Sequence, residues 1–133
     1  MIVRKIWFAD DRIYIETDDG HTLWQSLLYY QRLKNATDKE RINFELGAFG
    51  IHWDYIDEDI SYESFEYPNP EPVGISKIFL AHPELNASAI AHRLGMKQSL
   101  LTQYINGTMK PPKICETQIV DVIKQIGREL ASV

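Results

Sequence analysis

Apolar and polar positions along the chain change period twice. Val3, Ile6, Trp7 and Phe8 give a strand-like stretch over residues 3–9, and Ile13, Tyr14 and Ile15 continue as a second strand after an Asp10-Asp11 turn. Asp18-Asp19-Gly20 is a hairpin signal, because Asp-Gly suits turn positions with positive φ, and His21 to Gln25 follows as a third strand. The period then turns helical. Leu27, Leu28, Tyr30 and Leu33 line a short helix, and Thr37-Asp38-Lys39-Glu40 reads as a capping box opening another. Phe44, Leu46 and Phe49 turn back as a short strand, Ile51 to Trp53 and Ile56 come next, and Ser61 to Phe65 closes the unit.

Residues 67–74, Tyr-Pro-Asn-Pro-Glu-Pro-Val-Gly, read as a linker, since three prolines bar helix and central strand and favour an extended spacer. Beyond it every element is helical. Ile75, Ile78 and Phe79 lie in a helix that stops at Pro83, and Asn86 caps the next. Ile90, Ala91 and Leu94 share one face of that helix, Gly95 ends it, and Leu100, Leu101, Tyr104 and Ile105 form the apolar face of another. After Pro111-Pro112 a last helix runs to about Leu130, striped by Ile119, Val122, Ile123, Ile126 and Leu130. The expected fold class is α+β: a small antiparallel-sheet domain with helices at 1–66, a linker at 67–74, and an all-α domain at 75–133.

Charge sharpens this division. The net charge of −5 is unusual for a DNA binder. Residues 1–73 hold 7 Lys+Arg against 15 Asp+Glu, a balance of −8, while residues 74–133 hold 7 against 4, a balance of +3. The basic excess sits where a phosphate contact needs it. An apolar fraction of 44% suffices for a packed core, no run reaches membrane-spanning length, and the N-terminus lacks a signal-peptide layout, so a cytoplasmic protein is expected. Cys115 is the only cysteine and reads as a small core residue.

Residues 87–106 resemble the phage-repressor type of helix-turn-helix, with Ala91, Leu94, Gly95, Met96, Gln98, Ser99, Leu101 and Ile105 at that family's positions. The resemblance implies that Gln98, Ser99, Thr102 and Gln103 read base edges, while Lys97, Asn106, Thr108, Lys110 and Lys113 hold phosphates. Lys97 departs from the usual Ser or Thr that starts the second helix, so an N-cap is missing. The competing use of the stretch is a helical hairpin that only packs. Repressor-type domains pair on half-sites roughly 34–36 Å apart, so a homodimer on double-stranded DNA is expected.

In the front half, Ile51-His52-Trp53-Asp54-Tyr55-Ile56-Asp57-Glu58-Asp59-Ile60 resembles a motif of the bacterial family known as domain of unknown function 2442. Leu33, Ala36, Thr37, Arg41 and Phe44-Glu45-Leu46 resemble its middle segment. That resemblance, over about residues 2–66, implies a small α+β domain without an established activity, sometimes carried with a C-terminal helix-turn-helix. Some members lie beside toxin-like partners, so an antitoxin-like module with an acidic front half is the second functional expectation, and a protein partner could bind there. His52 with Asp57, Glu58 and Asp59 has the chemistry of a metal or acid–base site, but no second cluster at ligand spacing supports it. Asp57 and Asp59 are expected to be turn or helix caps instead, and Trp7, Trp24 and Trp53 core anchors. No enzyme, cofactor, catalytic residue or metal ligand is expected.

Overall fold

The computed structural model describes residues 1–133, which form two compact units, Met1–Pro72 and Val73–Val133. The first is α+β. Strands β1 (Val3–Ala9), β2 (Arg12–Thr17) and β3 (Thr22–Ser26) make an antiparallel meander. Asp10 and Asp11, both at positive φ (53° and 56°), form the two-residue turn that joins β1 to β2. A 3-10 turn at Leu27–Tyr29 leads to the single-turn helices α1 (Gln31–Lys34) and α2 (Asp38–Arg41). Thr37 and Glu40 close the capping box at α2, each side chain accepting the other's backbone N–H. A second antiparallel sheet follows: β4 (Glu45–Leu46), β5 (Gly50–Trp53) and β6 (Glu58–Ser61).

Alternation along the strands builds the first core. Ile13 and Ile15 of β2 are fully buried and meet Leu27, Leu33, Ile51, Trp53, Ile60 and Phe65. Trp53 is edge-on to Phe8 and Phe44, and its indole N–H donates to the Arg41 carbonyl at 2.8 Å. Arg41 in turn donates to the Leu33 and Lys34 carbonyls, both at 2.9 Å, capping the C-terminal end of α1. Inside this core Gln25 is satisfied by Tyr30 and Ser64, at 2.7 and 2.8 Å.

Two expectations need correction. Trp53 is a core anchor, but Trp7 and Trp24 are not. Both register with Tyr14 on the opposite face of β1–β3, where the three rings form a half-exposed ladder with centroid spacings of 5.4 and 6.4 Å. The ladder ends in cations: the Arg12 guanidinium sits 3.9 Å from the Trp24 ring centre and the Lys5 ammonium 5.2 Å from that of Trp7. The proline-rich segment is also no free spacer up to residue 72. Pro70 accepts the Ser26 N–H at 2.7 Å, Asn69 accepts the Tyr29 hydroxyl at 3.0 Å, Glu71 pairs with Arg12 at 2.9 Å, and Pro72 is buried.

The second unit holds four helices: α3 (Gly74–Ala81), α4 (Ala87–Leu94), α5 (Gln98–Ile105) and α6 (Lys113–Ala131). Their core is Ile75, Phe79, Ile90, Ala91, Leu101, Tyr104 and Ile119, with Cys115 and the α6 residues Val122, Ile123 and Ile126 packed around it. Leu130, the end of the stripe expected on α6, is 68% exposed.

Candidate functional site

Helices α4 and α5 and the turn between them bring the largest set of sequence-singled residues together. Asn86 caps α4 by accepting the Ala89 N–H at 3.0 Å. Gly95 takes the left-handed conformation (φ 71°, ψ 26°). Its N–H donates to the His92 carbonyl and the Met96 N–H to the Ala91 carbonyl, the paired bonds of a Schellman ending. Met96 then packs back on the core, and Ala91 is buried.

Lys97 starts α5 in extended conformation with no side-chain cap, as its sequence implies. Leu101 and Tyr104 face inward. Gln98, Ser99, Thr102, Gln103 and Asn106 are exposed, and their side chains make no hydrogen bond within the protein. At about 100° per residue, Ser99, Thr102, Gln103 and Asn106 span one outward arc and Gln98 flanks it. Asn106, assigned to phosphate from sequence, therefore shares the arc of the base-reading candidates.

The flanking residues divide. Lys97, Lys110 and Lys113 are exposed, Lys113 at the first turn of α6. Thr108 is committed internally: its hydroxyl and its N–H both donate to the Gln103 carbonyl, at 3.2 and 3.1 Å. Gly107 at φ 75° allows the chain to fold back this way. The buried Ser76 of α3 donates to the Ile105 carbonyl at 2.6 Å, fixing the end of α5. Sequence reading missed Ser76, since a serine in a helix gives no sign of a partner 29 residues away. Behind α5, burial pushes the Tyr104 hydroxyl up, aided by the Cys115 sulfur.

The acidic turn of the first unit is arranged differently from the expectation. His52 Nδ1 is 2.7 Å from Asp59 and its Nε2 3.4 Å from Asp54, and Glu45 lies across from it on β4. Asp59 and then Asp54 raise the His52 pKa above its ordinary 6.5. Asp57 and Asp59 cap no helix. Asp57 holds the turn into β6 at φ 52°, and its carbonyl accepts from Arg32 at 2.6 Å. No group of three His, Cys, Asp or Glu side chains is placed to hold a metal ion.

The model of the family described as protein of unknown function (DUF2442) matches residues 3–71. The chain belongs to that family. Neither a curated protein nor a solved structure matches it.

Proposed function

We propose that this protein is a transcriptional regulator: residues 73–133 act as a repressor-like helix-turn-helix domain that binds duplex DNA through α5, while the acidic front unit mediates self-association or senses a partner. The exposed, internally unpartnered arc of Ser99, Thr102, Gln103 and Asn106, flanked by Gln98, carries the reading. Such a row of amides and hydroxyls is the chemistry that pairs with base edges. Gly95 and the Ala91 contact set this helix against α4, and the three exposed lysines supply charge for phosphates. A cytoplasmic location fits this role, and no helix is long and apolar enough to cross a membrane.

Titration of the full chain with a random duplex pool at two salt concentrations tests the reading. Binding should fall steeply with salt, and selection from the pool should yield a two-fold symmetric site. Salt-independent absence of binding would remove it. A second reading, an antitoxin-like module, draws on the −8 balance of residues 1–73 and predicts co-purification with a basic protein.

A further inference from the structure

Strand β1 is an edge of its sheet. It pairs with β2 alone, and its outward N–H and C=O groups hydrogen-bond to nothing in the protein. An open edge of seven residues is a template for another strand. Its charges say which. Arg4 and Lys5 stand at one end, Asp10 and Asp11 just past the other. All four are exposed, and none has an ion-pair partner within the chain. A strand with cations at one end and anions at the other complements itself when run antiparallel.

We infer that two copies of this chain pair edge to edge through β1, forming a continuous six-stranded sheet about a two-fold axis at Trp7. This register sets Arg4 and Lys5 beside the partner's Asp10 and Asp11. It keeps each face of the joined sheet continuous, Ile6 lying across from the partner's Phe8. One face of Trp7 already lies on Tyr14, interplanar angle 7°. On pairing, the Lys5 ammonium that lies over the Trp7 ring at 5.2 Å swings to the partner's carboxylates, and Trp7 meets the partner's Trp7 in a cross-strand contact that strengthens pairing. Because the pair is isologous, each charge contact occurs twice. The inference does not rest on DNA binding. It supplies the second copy that such binding would use.

Sedimentation of the full chain without DNA should show a concentration-dependent dimer. Hydrogen exchange, compared at high and low protein concentration, should show dimer-dependent protection in residues 3–9. Arg4→Gln and Asp10→Asn should each weaken the dimer about tenfold. The double variant should be little worse than either alone, because both break the same contact. Asn tolerates the left-handed conformation of Asp10, so Asp10→Asn retains the turn. A monomer at all micromolar concentrations would overturn the inference and mean that the Arg4 bulge and Lys5 keep strands away from this edge. So would a dimer whose protection lies in α6, or additive effects of the two substitutions. A dimer that ignores DNA would leave the pairing standing and remove the reading of α5. DNA binding by a monomer would do the reverse.

Discussion

Gly50 and Gly95 are needed for different reasons. A Cβ on Gly95 would touch nothing, so its cost is the left-handed backbone alone, φ 71°. Gly95→Ala should lose roughly 1–2 kcal/mol, and Gly95→Asn less, because asparagine tolerates that region. At Gly50 a Cβ would lie 2.5 Å from the Ile60 carbonyl oxygen, across the β5–β6 pair. Backbone cannot swing aside, so Gly50→Ala should cost about 1–3 kcal/mol and strain that pairing. Denaturant melts of the three variants test this, and a Gly95→Asn variant no more stable than Gly95→Ala would contradict a purely conformational cost at that position. His52 gives a pH signature. Its pKa is raised by Asp59 first and Asp54 second, so the stability it contributes is complete below about pH 6.5, its ordinary value. That contribution is lost as pH rises through the higher folded-state value. NMR titration should place His52 above its ordinary value in Asp59-containing protein, and Asp59→Asn should move it down. An unmoved titration would dissociate the imidazole from this carboxylate.

At the scale of elements, the legible parts of the sequence were those whose cause is local. The Asp-Gly hairpin, the Thr37–Glu40 box, the Asn86 cap and the Gly95 ending each need only a few adjacent residues, and all form. Thr37→Ala should accordingly cost about 0.5–2 kcal/mol, read from thermal unfolding. What was illegible depends on distant partners. Trp7 and Trp24 are as apolar as Ile6 and Phe8, so period-two alternation could not tell which face of β1 turned inward. The prolines announced an absence of donors but not that Pro70 would serve as acceptor for Ser26. Asp59 looked like a cap because its cross-strand neighbour His52 was fixed only by register. At the candidate site, the outward arc of α5 followed from helical spacing, whereas the diversion of Thr108 to the Gln103 carbonyl required the fold-back at Gly107.

For the whole molecule, the first question is where one unit stops. Residues 69–72 are held by Tyr29, Ser26 and Arg12, while Val73 is 66% exposed. Limited proteolysis should therefore cut first at Val73 and leave two resistant fragments, with residues 69–72 retained on the first. First cuts inside Met1–Pro72 would reject that boundary.

If α5 reads DNA, base-edge and phosphate contacts must separate on mutation. Gln98 and Gln103 carry amides that can pair bidentately with adenine, whereas Lys110 presents a point charge beyond the helix. Gln103→Ala should cost about 1–3 kcal/mol on the selected site and relax the base choice there. Its backbone carbonyl, which anchors Thr108 and Met109, remains in the alanine variant, so the fold-back is retained. Lys110→Ala should weaken selected and random duplexes about equally and lower the salt slope by about one unit. Thr108→Val is the internal control. Its hydroxyl is already spent on the Gln103 carbonyl, so it should change stability more than the salt slope. Variants Gln103→Ala and Lys110→Ala that bind both duplexes like the parent would show that this arc meets no DNA, and residues 73–133 would then be a packing or protein-binding unit.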